Sequence, residues 1–210
     1  MENSKTLYKF CSLSTKRKRL HVSNIVMQRQ LYFSDPRYFN DPYDCKIAEY
    51  LDKYLYPYGV LCFSGVNCDI TLMFAHYADC HRGLCLQFGI DENYNLSESP
   101  APFVGEEVKY LKNRPNLPDN PNNAHHSYLI KYKSWSYENE YRVVYPLKKL
   151  PFSRLIEYSY GNLHSVIFGF RMSPKDEAMV KSWIQESGHS IFFKKAHVSP
   201  DSFNLNFLDV

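Results

Sequence analysis

Short apolar runs, more than helical spacing, set the pattern of this chain. Leu7-Tyr8-Lys9-Phe10, Leu31-Tyr32-Phe33-Ser34, Gly59 to Ser64 and Gly83 to Phe88 are brief stretches rich in aromatic and branched residues, the mark of half-buried or buried strands. Glu140 to Tyr145 alternates strictly, with Glu140, Arg142 and Val144 on one face and Tyr141, Val143 and Tyr145 on the other. Leu155 to Tyr158, Ser165 to Gly169, Ile191 to Lys194 and Phe203 to Phe207 predict further strands, and 104–111 a strand or short helix. Helical spacing predicts helices over 20–30, 69–78, 125–133 and 174–186, with a turn at 134–139. The 174–186 segment carries the clearest ends: Ser173 as N-cap, Pro174 at the first position, Asp176 two residues on and Gly188 past the finish. Strands outnumber helices without a regular βαβ alternation, so the expected class is α+β with a mixed or mostly antiparallel sheet.

Two stretches break the pattern. Asp35 to Asp44 holds two X-Pro steps among short polar side chains, which disfavour helix and predict an ordered loop pinned by Phe39 and Tyr43. Residues 113–123 offer almost nothing to a core and predict a long mobile loop within a single domain spanning 1–210.

Composition narrows the classes. The 210 residues carry a formal charge of only +3, and the one basic tetrad, Lys16 to Arg19, predicts a solvated loop or helix start and no broad nucleic-acid footprint. No leader-like segment and no run of about 18 apolar residues is present, which predicts a cytoplasmic protein without membrane insertion. The six cysteines, none in a C-x-x-C pair, read as reduced core thiols. Eighteen Tyr and fourteen Phe suit clefts and interfaces that are apolar on one side and hydrogen-bonded on the other.

Three segments carry candidate chemistry. Trp135 to Arg142 sets Glu138 and Glu140 two residues apart among aromatic side chains, so that Arg142 holds one carboxylate ionised while burial raises the other; a surface hairpin with a Glu/Arg ion pair is the plainer alternative. Met73 to Gly83 places His76 and Tyr77 where they either line a polar pocket or serve the core, and its His and Cys spacing matches no zinc pattern, so no metal is expected. In the 35–44 loop, Asn40 and Asp44 either bond their own turn or reach a ligand. Phosphate-cradling glycine motifs are absent.

The blocks LYKF (7–10), LYFSDPRYFNDPYD (31–44), LCFS (61–64), MFAHYADCHRGLCLQF (73–88) and WSYENEYR (135–142) together resemble a bacterial domain family of unknown function, with Phe74 where that family suggests Trp. Their order is also similar, distantly, to that of the ADP-ribosyltransferase superfamily. That resemblance implies sheets split around a cleft with flanking helices, and NAD as a substrate held between a first-strand basic residue, a middle-strand Ser and a late-strand Glu. Lys9, standing where Arg or His is usual, Ser64 and Glu140 occupy those positions, and Glu138 completes an E-x-E element. The implied catalytic residues are Glu140, Glu138 and Ser64. The implied NAD contacts are Lys9, Tyr8, Phe63, His76, Tyr77, Arg142 and Asn40, with Tyr77, Phe63 or Tyr32 stacking on nicotinamide and Lys9 or Arg142 meeting the pyrophosphate or orienting Glu140.

The resulting expectation is an NAD-consuming ADP-ribosyltransferase or glycohydrolase of a bacterial defence or toxin type, such as phage defence. Its acceptor, whether protein, nucleic acid or small molecule, is not legible. The alternatives are a metal-dependent nuclease built on Asp41, Asp44, Glu138 and Glu140 with His76 as base, and a non-catalytic ligand- or protein-binding module. The NAD reading requires Lys9, Ser64 and Glu140 to meet at one hollow wide enough for a dinucleotide.

Overall fold

The structure is a computed structural model that describes residues 5–45, 58–90, 105–116, 125–146 and 154–210. Its centre is an eight-stranded sheet in the order β12-β11-β10-β4-β1-β3-β8-β5. These strands are β1 (Lys5–Cys11), β3 (Tyr58–Gly65), β4 (Leu84–Ile90), β5 (Gly105–Glu107), β8 (Glu140–Pro146), β10 (Leu163–Phe168), β11 (Phe192–Val198) and β12 (Leu205–Asp209). Every neighbouring pair is antiparallel except β10 and β11. The helix between those two, α3 (Pro174–Ser187), is the crossover a parallel pair needs. Two smaller sheets flank the large one: β2 (Gln30–Tyr32) with β9 (Leu155–Glu157), and β6 (Lys109–Leu111) with β7 (Ile130–Tyr132), the latter pair parallel.

Alternation on the strands feeds the two larger of three buried clusters among the described residues. Leu7, Phe63, Leu84, Leu86, Phe88, Tyr141 and Val143 pack on one face with Val22, Ile25 and Val26 of α1 (Lys16–Gln28) and Val180 and Ile184 of α3. On the other face Cys85, Ile167, Ala196 and Leu205 meet Phe74 of α2 (Ile70–Tyr77), with Tyr8 and Phe10 beside them. The helix ends obey local chemistry. Thr15, Asp69 and Ser173 each accept a backbone N–H of the following turn, and Gly188 closes α3 in the left-handed region at φ 73°.

One irregularity matters for function. β1 and β3 pair only at Leu7 with Gly65 and Tyr8 with Ser64, while β1 pairs with β4 along its whole length. Beyond Tyr8 the two strands part. The Lys9 ammonium reaches across to the Cys62 carbonyl at 3.1 Å, and further along Ser34 takes up the edge of β3 by exchanging two backbone bonds with Val60, at 2.8 and 2.9 Å. The sheet is therefore opened on one side of a continuous ladder.

The α+β class and mostly antiparallel sheet agree with the pattern of the sequence. The basic tetrad starts α1, and the six cysteines are all unpaired, with Cys80 exposed and Cys11, Cys45 and Cys85 buried. The helix expected over 125–133 is helical at 125–127 and is corrected beyond that. Residues 130–132 form β7, because Ile130-Lys131-Tyr132 alternates in burial and finds its partner ladder on Lys109–Leu111. Residues 105–107 and 109–111 are two strands, interrupted at the buried Val108. Of the two aromatic residues expected to pin the 35–44 loop, Phe39 packs inward and Tyr43 is exposed. The mobile loop expected at 113–123 lies, from residue 117 on, outside the described residues. No helix among the described residues is long and apolar enough to cross a membrane.

Gly83 and Gly169 meet where α2, β4 and β10 converge: Gly169 N–H donates to the Gly83 carbonyl at 2.9 Å. A Cβ on Gly83 would stand 2.1 Å from the Cys11 carbonyl oxygen, a backbone atom that cannot swing away. Gly83→Ala is expected to destabilise by at least the ~1–3 kcal/mol of core overpacking, against about 1 kcal/mol for Ser173→Ala at the helix cap. Urea denaturation of the two variants checks this; equal midpoints would contradict the packing.

Candidate functional site

The site begins with a guanidinium that has no exposed surface. Arg142 on β8 donates hydrogen bonds from all three of its side-chain nitrogens. Nε meets Glu140 Oε2 at 2.8 Å and Nη1 meets Asp44 Oδ1 and the Tyr128 carbonyl at 2.7 and 2.8 Å. Nη2 meets Asp44 Oδ2 at 2.7 Å and Glu140 Oε2 at 2.5 Å. Residues on one face of a strand lie two apart, which is why Glu140 and Arg142 touch. The ring of Phe39 lies 5.5 Å from the guanidinium carbon.

A second buried cation stands beside the first. Lys131 of β7 donates to Glu138 Oε2 at 2.5 Å and lies 3.4 Å from Asp44 Oδ2 and 3.6 Å from Glu140 Oε1, with the Trp135 ring 4.9 Å away. Glu138 itself is held from both sides of its backbone. Asp69 N–H donates to the Tyr137 carbonyl and Gly65 N–H to the Asn139 carbonyl, both at 2.7 Å. Asn139 turns the chain in the left-handed region at φ 44°, a conformation Asn tolerates. Tyr77 donates its hydroxyl to Glu138 Oε1 and accepts from Asn40 Nδ2 at 3.3 Å. The Tyr110 hydroxyl accepts from the Glu140 N–H at 2.8 Å.

This arrangement divides the carboxyls. Burial would raise Asp44, but the charge and hydrogen bonds of Arg142, with Lys131 beyond, outweigh it and leave Asp44 below the usual range. Burial and the neighbouring charge of Glu140 raise Glu138 above the usual range, against the pull of Lys131 and Tyr77. Burial and the Glu138 carboxylate likewise raise the Tyr77 phenol, so it remains a donor.

The cleft opens where β1 and β3 part. It holds about 140 Å³ and is lined by Lys9, Ser64, Glu138, Glu140, Tyr8, Phe10, Cys62, Phe63, Met73 and Tyr77. Met73 and Tyr77, four apart on α2, present one face to it. Lys9, Ser64 and Glu140 thus reach one hollow from three adjacent strands, and Glu138 joins them. Its volume falls below the ~300–1,000 Å³ of pockets that enclose a whole ligand, so the cleft is narrower than the dinucleotide-wide hollow expected from the sequence.

The remaining expected residues fall outside the lining or change role. Arg142 sits behind the cleft and orients Glu140; with no exposed surface it meets no pyrophosphate. His76 is exposed and lies tilted beside Tyr137, 5.9 Å between ring centres, because the helix turns it outward. Asn40 reaches the site only through Tyr77. Tyr32 lies against His21 and not at the cleft. Asp44, Glu138 and Glu140, expected in the nuclease reading to surround a metal, take the ammonium and guanidinium as counter-ions; Asp41 Oδ1 accepts from the Tyr43 N–H. Lys131 and Tyr110 were not expected from sequence, and only the apolar residues around Lys131 hinted at its burial.

Residues 73–143 match the model of a family described as a protein of unknown function (DUF2971), in agreement with the block resemblance to a family of that kind. The match spans α2 to β8 and includes Tyr77, Lys131, Glu138, Glu140 and Arg142, while Lys9, Asp44 and Ser64 lie before it. No curated protein and no solved structure matches the chain.

The two shifts predict opposite responses. Asp44, depressed in the folded state, contributes stability that is full above its unfolded value of about 3.9 and is lost as pH falls through its folded value. Glu138, raised in the folded state, makes folding less favourable as pH rises through its folded value. Asp44→Asn is therefore expected to cost about 3–5 kcal/mol at pH 7 and progressively less below about pH 4. Glu138→Gln, which copies the protonated acid, gains on the native protein as pH rises. Urea midpoints between pH 3.5 and 8 test both, and a Glu138→Gln penalty that grows with pH would refute the assignment.

Proposed function

We propose that this protein consumes NAD, breaking the bond between nicotinamide and ribose and transferring ADP-ribose to an acceptor or to water. The observation that carries the reading is the convergence of Lys9, Ser64 and Glu140 on one cleft with Glu138 beside them. The order of those residues along the chain supports it, since it is similar to that of the ADP-ribosyltransferase superfamily.

Each residue has a physical task. As the glycosidic bond breaks, its electron pair leaves with nicotinamide, whose ring nitrogen becomes neutral, and positive charge builds on ribose C1′. Glu140, kept in place by Arg142, stabilises that charge and accepts a hydrogen bond from the ribose 2′-hydroxyl. The acceptor or water then bonds to C1′ and gives up a proton. Glu138, whose carboxyl burial and the neighbouring Glu140 charge raise above the usual range, receives that proton, and Tyr77 and Lys131 fix its orientation. Ser64 positions the sugar, Lys9 meets the nearer phosphate, and Tyr8, Phe63 and Tyr77 border the nicotinamide ring. A cleft of about 140 Å³ suits the nicotinamide ring, with the ribose at its mouth.

Purified protein is expected to release nicotinamide from NAD, with the rate lowered about 10²–10³-fold in Glu140→Gln, the range for removal of one electrostatic stabiliser. Because Glu140 also bonds Arg142, circular dichroism must show that variant folded. Ser64→Ala lies outside the ion network and is expected to raise KM more than it lowers kcat. Unchanged turnover by a folded Glu140→Gln would remove the reading.

A further inference from the structure

Among the described residues the main sheet ends on two unlike edges. β5 is three residues long and carries Glu106 and Glu107, both exposed, so it is short and charged in the way that protected edges are. β12, at the other end, is five residues long and runs in unbroken register with β11. It contains no proline, no lysine and no bulge, and its one charge, Asp209, lies opposite Lys194 of β11. Apolar surface gathers beside it. Five of the thirteen exposed large apolar side chains among the described residues, Phe192, Val198, Phe203, Leu208 and Val210, fall within 192–210.

The ladder decides which backbone groups of β12 are left over. Val210 donates to the Phe193 carbonyl at 3.1 Å and Ser199 to the Asn204 carbonyl at 3.2 Å. Alternate residues of an antiparallel pair exchange bonds, so Asn206 and Leu208, in phase with Asn204 and Val210, bond to β11. Leu205, Phe207 and Asp209 therefore turn their N–H and C=O groups to the open side.

Those three residues specify their own complement. A second copy, antiparallel about a two-fold axis at Phe207, sets the two Phe207 residues opposite each other and each Leu205 opposite the Asp209 of the other copy. Every outward residue of both strands is then used, with two bonds for each opposed pair. The register with β11 extends these pairs into rows: Ala196-Phe207-Phe207-Ala196 at the axis, and Val198-Leu205-Asp209-Lys194 on either side. No like charges meet, each Asp209 keeps its Lys194, and an aromatic pair stands at the centre. Other axes fit worse. One at Asp209 opposes two carboxylates, one at Leu205 sets Asp209 against Asp201, and those at Asn206 or Leu208 leave an outward residue of each strand without an opposite in β12.

We propose that β12 is a dimerisation edge, which joins two copies of this chain across Phe207 into one continuous sheet. β11, β10 and β4 stand between β12 and β1, so the joint lies away from the cleft and does not rest on the NAD reading.

Sedimentation equilibrium over a series of protein concentrations is expected to show monomer and dimer in exchange. Amide exchange followed by NMR reads the register. The N–H groups of Leu205, Phe207 and Asp209 are expected to exchange about tenfold more slowly in the dimer than in dilute monomer, while those of Asn206 and Leu208, already bonded to β11, change less. Asp209→Pro removes an outward N–H and leaves the β11 ladder intact. Leu208→Lys puts an edge charge on a side chain that is 56% exposed, and serves should the proline variant fail to fold. Each is expected to weaken the dimer about tenfold or more, with melting curves to verify the fold. A protein monomeric at every concentration, a dimer indifferent to both substitutions, or protection without preference for the three outward amides would overturn the proposal.

Discussion

The architecture around the cleft depends on the burial of one guanidinium. A charged group with no exposed surface is tolerable only when it is paired and hydrogen-bonded, since the penalty for a buried charge left unpaired is several kcal/mol. Arg142 meets that condition by drawing together three segments far apart in sequence: Asp44 from the loop after β2, the Tyr128 carbonyl from the approach to β7, and Glu140 from its own strand. Those bonds fix where the loop and β7 lie relative to the main sheet. Lys131 follows from the same arrangement, because Asp44 and Glu140 each have a lone pair beyond those Arg142 uses, and Glu138 brings a third carboxylate.

The network sits where the sheet is weakest. Full pairing of β1 with β3 would close the edge of β3 and bury the Cys62 carbonyl in a ladder. The strands part instead after two residue pairs, and the Lys9 ammonium satisfies that carbonyl from the side. A lysine performing the work of a strand N–H leaves space that a strand would fill. That space is the cleft, and its floor is the carboxylate pair.

The sequence disclosed whatever obeys a local period. Ser173, Pro174, Asp176 and Gly188 delimit α3 because caps are local chemistry, and the two-residue repeat on β8 already placed Glu140 beside Arg142. The segment at 125–133 misled because Tyr128, Leu129 and Tyr132 have a spacing that suits either element, and pairing with β6 about 20 residues away decides between them. Asp44 was ambiguous for a related reason. Asn and Asp crowd the 35–44 loop, and Asp35 and Asp41 do bond their own turns, whereas Asp44 turns to an arginine 98 residues further on. Nothing local separates the one behaviour from the other. Lys131 is the extreme case: as a lone lysine it reads as surface, and only the three carboxylates assembled by the fold make its burial tolerable.

Charge balance links this frame to the proposed chemistry. Asp44, Glu138 and Glu140 oppose Lys131 and Arg142, so three anions face two cations and one negative charge is left over when all are ionised. Glu138 bears that excess, as the combination of burial and the Glu140 charge requires. A cluster in this state gains from any positive charge that arrives at the cleft, whether a proton on Glu138 or cationic character on a bound sugar. In the proposed reaction the pyridinium of NAD would bring such a charge, which passes to ribose C1′, towards Glu140, as the glycosidic bond breaks. When the acceptor bonds and releases its proton, Glu138 is the group that gains most by taking it. An arrangement that makes Glu138 costly to ionise in the resting protein therefore makes it ready for the last proton transfer of the proposed reaction, and the same unbalanced charge is the source of both properties.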